Sequence, residues 1–127
     1  MTCVWTGILG SLTNEDFKRW NISKPHPADF VIFLRQNNSL TPEIIWNGQT
    51  LSAKAQDENY RAIMEIDHKT IGNGYLCSTC EPVLFLVSHL FFVDIVHNYM
   101  GHQMYYKHPS PKRILKFASS SSHFSRA

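Results

Sequence analysis

The most reactive side chains of this 127-residue chain are those of its three cysteines, Cys3, Cys77 and Cys80. Cys3 begins a segment that is predicted to be helical because its apolar residues recur at helical spacing. Those apolar residues are Val4, Trp5, Ile8, Leu9 and Leu12. The two glycines of the segment are expected to permit close packing. A thiol in the first turn of a helix lies near the positive end of the helix dipole, which favours the nucleophilic thiolate. The alternative for Cys3 is an ordinary core position, a common environment for cysteine.

Cys77 and Cys80 are separated by two residues, the spacing of many zinc sites. The remaining ligands would have to come from histidines further along the chain, namely His89, His97, His102 and His108. The sequence contains no second Cys-x2-Cys pair and no His-x3-His pair. We therefore favour a buried thiol pair over a metal site, and we predict neither a metal nor another cofactor. Three cysteines at these positions do not form a disulfide framework and indicate a reducing compartment.

The composition is that of an ordinary globular domain. Hydrophobic residues make up 43% of the chain and the formal net charge is +2, so nothing indicates a nucleic-acid partner. The apolar run from Val83 to Val96 includes Ser88, His89 and Asp94 and is too short and too polar to span a bilayer. The first ten residues lack the basic region of a signal peptide. We expect one soluble, cytoplasmic domain over residues 1–127 with no membrane partner.

The first half of the chain is predicted to be helical. Thr13 has the chemistry of an N-cap for a short helix that contains Phe17 and Trp20. Phe30 to Leu34 favours a helix that ends at Asn37. We also predict a helix that begins at Thr41-Pro42 and ends at Asn47-Gly48. A further helix is predicted from Asp57 to Glu65.

The second half is predicted to form one helix and three strands. Pro82 fits the first turn of a helix whose apolar face continues to Phe91. Runs rich in β-branched and aromatic residues then predict strands over residues 92–98, 103–107 and 113–117. The predicted fold class is α+β, with N-terminal helices packed on a small antiparallel C-terminal sheet.

Several of these features together resemble a known family. Asn73-Gly74-Tyr75 and Glu81 lead into the helix, the predicted strand over residues 92–98 follows, and His123-Phe124 lies near the end of the chain. This order is similar to the C-terminal half of OTU (ovarian-tumour) cysteine proteases, a branch of the papain-like superfamily. Cys3-Val4-Trp5 is similar to the Cys-Leu-aromatic start of that family. The resemblance implies a papain-like, OTU-like fold in a minimal domain of viral type.

The resemblance also implies an activity and a site. Cys3 would be the nucleophile and His123 the general base of a deubiquitinase-like cysteine protease that hydrolyses ubiquitin or ubiquitin-like conjugates. The family places Asp or Asn two residues after the histidine, where this chain has Ser125. We therefore consider Asn98 or Asp94 on a neighbouring strand as substitutes for that orienting group.

The substrate of such an enzyme ends in Gly-Gly, so its cleft must be narrow. Trp5, Tyr75 and Phe124 are close in sequence to the implied site and are the candidates for the walls of the cleft. Core packing is the alternative for each of them. The alternative for the whole chain is a catalytically inactive OTU-like module or a small zinc-stabilised protein-interaction module.

Overall fold

The computed structural model describes residues 3–67, 81–120 and 123–127, and for Cys3 the backbone only. Within these residues the chain has five α-helices and one mixed six-stranded sheet, so the α+β fold class is confirmed. The helices are α1 (Cys3–Ser11), α2 (Asn14–Phe17, continued by a 3-10 turn over Lys18–Trp20), α3 (Pro27–Gln36), α4 (Ala53–Met64) and α5 (Glu81–Phe91). The strands are β1 (Ile45–Trp46), β2 (Gln49–Thr50), β3 (Val93–Tyr99), β4 (His102–Lys107), β5 (Arg113–Ser119) and β6 (Phe124–Arg126).

The sheet has the order β2-β1-β4-β3-β5-β6. Its neighbours are antiparallel except for β3 and β5, which run parallel in a register from Val93–Arg113 to Tyr99–Ser119. The prediction of an antiparallel sheet was therefore wrong for this central pair. Strand β4 returns the chain to the end of the sheet where β3 begins, and Lys112 N there donates to Phe92 O over 2.7 Å. A strand that starts from this end on the free side of β3 must run in the same direction as β3.

The predicted helix over residues 41–48 was also wrong. The chain instead forms the small hairpin of β1 and β2, with Asn47 and Gly48 as its turn at φ 48° and 82°. Two successive residues with positive φ form the tight turn that suits the twist of a hairpin, and Asn-Gly is the preferred pair for it. Asn47 Oδ1 also accepts a hydrogen bond from Tyr105 N over 2.8 Å, which attaches the hairpin to β4.

The core lies between the sheet and the helices. α5 is buried from Val83 to Ser88 and packs against β3 and β4. An aromatic cluster of Phe17, Trp20, Phe30, Phe33 and Phe91 joins α2, α3 and α5. No helix in the described part of the chain is long and apolar enough to cross a membrane.

An ion pair between Arg113 and the buried Asp16 connects the N-terminal helices to the sheet. Arg113 at the start of β5 donates to both carboxylate oxygens of Asp16 in α2, over 2.8 and 2.6 Å. Burial raises the pKa of Asp16, but hydrogen bonds from Arg113 and from Thr13 N outweigh it and hold that pKa below its ordinary value. Such a two-point contact fixes orientation as well as distance.

Candidate active site

The N-terminal helix α1 packs directly on the C-terminal strand β6. Gly7 faces the ring of Phe124, and a Cβ at Gly7 would lie only 2.9 Å from Cδ1 of that ring. One helical turn later, the carbonyl oxygen of Gly10 accepts a hydrogen bond from Arg126 Nη1 over 2.6 Å. The expectation that these glycines permit close packing is confirmed at Gly7, because a side chain there would collide with β6.

The two contacts also fix the relative direction of the elements. Moving from Gly10 to Gly7 along α1 corresponds to moving from Arg126 to Phe124 along β6. Cys3 is four residues beyond Gly7, about 6 Å along the helix axis, and His123 is one residue beyond Phe124, about 3 Å along the strand. The first residue of α1 and His123 therefore lie at the same end of the α1–β6 pair.

His123 is exposed beside a shallow groove between these two elements. The groove measures about 390 Å³ and is lined by Thr6, Gly7 and Gly10 from α1 and by residues 123–126. Residues 6, 7 and 10 follow residue 3 by three, four and seven positions, so their backbone positions share one face of α1. The backbone position of Cys3 thus lies on the same helix face as the groove.

His123 is attached to the sheet through its backbone. The carbonyl oxygen of His123 accepts from Ser120 N over 2.8 Å. The next residue, Phe124, is paired with Ser119 in β5. The histidine is thus held immediately beside the sheet while its side chain remains exposed.

Ser125 follows Phe124 in β6 and so points to the other face of the sheet. His123 precedes the strand, and both His123 and Ser125 line the α1–β6 groove. Ser125 is half-buried and pairs with Ala118 of β5. Ser125 therefore stays a candidate for orienting His123.

Asn98 and Asp94 are not arranged as substitutes for Ser125. Asn98 pairs with Ala118 from the far side of β5, and its Oδ1 accepts from Gly101 N over 2.8 Å. Asp94 lies near the opposite end of β3, where its Oδ1 accepts from His108 N over 2.8 Å. Asn98 is engaged in its own turn and Asp94 in a contact with the end of β4, so the role proposed for them at His123 is not supported by their positions.

Two of the three aromatic residues expected to wall the cleft are core residues. Trp5 is 1% exposed and meets Phe30 edge-on at 6.4 Å, and Phe124 is 3% exposed and packs on Phe117 at 5.0 Å. The wall prediction was therefore wrong for Trp5, whereas Phe124 belongs to the core and also lines the groove. The helical phase explains Trp5, because its neighbours Val4, Ile8, Leu9 and Leu12 are all buried on the core side of α1. Tyr75 lies outside the described residues.

Cys77 and Cys80 also lie outside the described residues. Of the histidines considered as their co-ligands, His89 is bonded to Ser39 and Glu43, and His97 Nε2 lies 2.6 Å from Ser119 Oγ. Within the ranges that the structure describes, no group of three or more His, Cys, Asp or Glu side chains could hold a metal ion.

His97 is a site neighbour that the sequence reasoning assigned only to metal binding. It is fully buried in β3 and its ring lies 5.5 Å from the ring of Phe124. Burial disfavours the charged imidazolium and lowers the pKa of His97 to about 4. The alternation of inward residues Val93, Ile95 and His97 along β3 was the signal that could have placed it in the core.

In comparisons with known proteins, no family model, no curated protein and no solved structure matches the chain. The resemblance to OTU proteases therefore stays a prediction made from the residues.

Proposed function

We propose that the chain is a cysteine peptidase with a papain-like, OTU-like fold, in which Cys3 is the nucleophile and His123 the general base. The observation that supports this most is the packing of α1 on β6, which puts the start of the helix and His123 at the same end of one groove. The two residues are separated by almost the whole chain.

In the proposed reaction, the imidazole of His123 takes the proton of the Cys3 thiol. The thiolate attacks the carbonyl carbon of the scissile amide, and a C–S bond forms while the oxygen becomes an oxyanion. The N–H of Cys3, at the positive end of α1, is one donor for that oxyanion. The oxyanion then reforms the carbonyl as the C–N bond breaks, and the imidazolium protonates the departing amine. Water hydrolyses the resulting thioester with His123 again acting as the base, and this releases the carboxylic acid and restores the Cys3 thiol.

The proposed substrate class is the C-terminal tail of ubiquitin or of a ubiquitin-like protein. This part of the proposal rests on the sequence resemblance. The groove supports it in one respect, since its α1 side is lined by Thr6, Gly7 and Gly10 and carries no large side chain. An extended chain that ends in glycines could approach the backbone closely along such a side.

A ubiquitin probe with a thiol-reactive group at its C-terminus tests this proposal. We expect labelling of the wild-type protein, and loss of at least about 10³-fold in hydrolysis when Cys3→Ala removes the nucleophile. Cys77→Ser and Cys80→Ser are the matched controls and should both label. A Cys3→Ala protein that folds and still hydrolyses the conjugate would rule out Cys3 as the nucleophile.

A further inference from the structure

A second set of side chains, far from the α1–β6 groove in sequence, is joined by hydrogen bonds. His89 on α5 lies between Ser39 and Glu43, which belong to the segment that links α3 to β1. His89 Nε2 is 3.1 Å from Ser39 Oγ. On the other side of the ring, His89 Nδ1 makes a short contact with Glu43 Oε1. A hydroxyl, an imidazole and a carboxylate are thus connected in that order.

This order determines where the protons lie. A carboxylate can only accept, so the hydrogen shared with Glu43 belongs to Nδ1 of His89. The other ring nitrogen, Nε2, then presents its lone pair to the hydroxyl of Ser39. The hydroxyl also lies 3.0 Å from the carbonyl oxygen of Leu40. A small rotation about its Cβ–Oγ bond therefore decides which of the two acceptors receives the proton.

The three groups are accessible, but they are partly shielded from water. The side chains of His89 and Glu43 are 31% and 30% exposed, and Ser39 is half-buried. Partial burial strengthens hydrogen bonds within the set while leaving room for a reactant to approach. The exposed side chain of Leu40 offers an apolar surface beside the hydroxyl.

Ser39 is one of the residues that line a small recess. The recess has a volume of about 10 Å³, which is about the space of one water molecule. Its lining combines polar and apolar side chains, among them Asn38, Ser39, Tyr60, Ile63 and Phe85. A space of this size admits a methyl group but no long chain.

We propose that Ser39, His89 and Glu43 form a second hydrolytic site, a serine esterase for small carboxylic esters with a short acyl group. This inference is independent of the peptidase proposed above, because none of its residues takes part in the α1–β6 groove. The spacing of the three residues along the chain is irrelevant to such chemistry, since hydroxyl–imidazole–carboxylate sets are recognised by geometry and roles.

The proposed reaction needs only the ester and water. His89 Nε2 takes the proton of Ser39 while Oγ forms a bond to the acyl carbon, and the C–O bond to the alcohol breaks. The imidazolium returns its proton to the departing alkoxide, which leaves as the alcohol. Water then attacks the acyl–serine ester with His89 as the base, the acid is released, and Ser39 regains its hydrogen. Glu43 holds the imidazole in the required tautomer throughout.

A fluorophosphonate probe tests the site, because it reacts with an activated serine by forming an O–P bond and releasing fluoride. We expect mass spectrometry to find the label on Ser39, and none in Ser39→Ala. The rate should fall by about 100-fold or more in His89→Gln, since a positioned base contributes at least that factor. Labelling should persist in Cys3→Ala, which separates this site from the peptidase.

Ser11→Ala is the matched control, because Ser11 Oγ donates to a backbone carbonyl, that of Gly7, over 3.3 Å, and has no such chain of partners. Its labelling should equal that of the wild type. If His89→Gln fails to fold by circular dichroism, Glu43→Gln answers the same question with a smaller perturbation, and slower labelling is again expected. The proposal is overturned if folded wild-type protein is not labelled at Ser39, or if labelling proceeds at the wild-type rate in the folded variant of His89 or Glu43.

Discussion

The α1–β6 groove and the Ser39–His89–Glu43 set hold their reactive groups in different ways. In the groove, the backbone positions of the proposed reactive residues follow from packing, since Gly7 lets the helix approach Phe124 and Cys3 and His123 lie at the ends of the two elements. In the second set, the position of each group follows from side-chain hydrogen bonds across His89. The first site should therefore be sensitive to added volume at the α1–β6 contact, and the second to changes in hydrogen-bonding chemistry.

The largest effect that separates the two sites is expected from Gly7→Leu. The new side chain would collide with Phe124, whose ring leaves no room even for a Cβ. Overpacking of this kind costs about 1–3 kcal/mol, and a displacement of about 1 Å between reacting groups costs about 100-fold in rate. We expect hydrolysis of a ubiquitin conjugate to fall by that factor while fluorophosphonate labelling of Ser39 is unchanged.

Gly10→Ala is the matched control for this experiment. A Cβ at Gly10 would lie 3.4 Å from Cδ of Arg126, a flexible side chain that can move aside. Alanine is also favoured over glycine within a helix by about 1 kcal/mol. The Gly10 variant should thus be as stable as the wild type or more so, and its loss of activity should be much smaller than that of Gly7→Leu, because only one methyl group is added to the groove. Equal losses in the two variants would mean that helix position at Gly7 does not control the groove.

The elements of the fold also fall into two groups, those that a local sequence pattern predicts and those that depend on contacts distant in sequence. Apolar spacing and pairs of residues at helical spacing predicted α1, α3, α4 and α5, and runs rich in β-branched and aromatic residues predicted β3 to β5, because each element is long enough to display its own pattern. Strand β6 has three residues and no pattern of its own, and it was missed. Its existence depends on pairing with β5 and on the packing of Phe124 against α1, neither of which is local in sequence. The direction of β5 likewise depends on which side of β3 is free.

The candidate sites were predictable to different extents for the same reason. Cys3 and His123 were paired only through the resemblance to a family, and Trp5 was assigned to the cleft by closeness in sequence although the helical phase turns it into the core. Ser39 and His89 are 50 residues apart and His89 and Glu43 are 46 apart. No spacing rule connects such residues, so this set could be found only from the fold.

A smaller effect, on stability, is expected when the pH is lowered, and it arises from His97, whose ring contacts Phe124 of β6. The pKa of His97 is lowered from 6.5 to about 4 by burial, so between these values the unfolded chain binds a proton at residue 97 that the folded chain does not. The contribution of His97 therefore makes the free energy of unfolding decrease as the pH falls through this window, with no further loss below about 4. At about pH 5 the loss amounts to about 2 kcal/mol.

Urea denaturation of His97→Gln across this pH range measures the contribution. Glutamine keeps a neutral side chain that can hydrogen-bond to Ser119 Oγ, so the dependence of stability on pH should become shallower between 6.5 and 4. His102→Gln is the control, because it makes the same substitution at an exposed histidine of β4 and leaves the buried His97 in place. A His97→Gln protein with the same steep dependence as the wild type would show that other groups cause the acid sensitivity.

The smallest effect is expected at Ser125, where the proposed peptidase has a hydroxyl in place of a carboxylate. A hydroxyl can orient the imidazole of His123 through one neutral hydrogen bond, and such a bond contributes about 0.5–1.5 kcal/mol. Ser125→Ala should therefore lower kcat/KM for a ubiquitin conjugate by about two- to tenfold, with the fold and the labelling of Ser39 unchanged. Ser125→Asp should raise kcat/KM above the wild-type value, because a carboxylate both orients the imidazole and stabilises the imidazolium that forms when Cys3 loses its proton. If the alanine and aspartate variants both retained wild-type kcat/KM while Cys3→Ala was inactive, the position of His123 would depend on its backbone attachment to Ser120 alone, and the groove would need no third side chain.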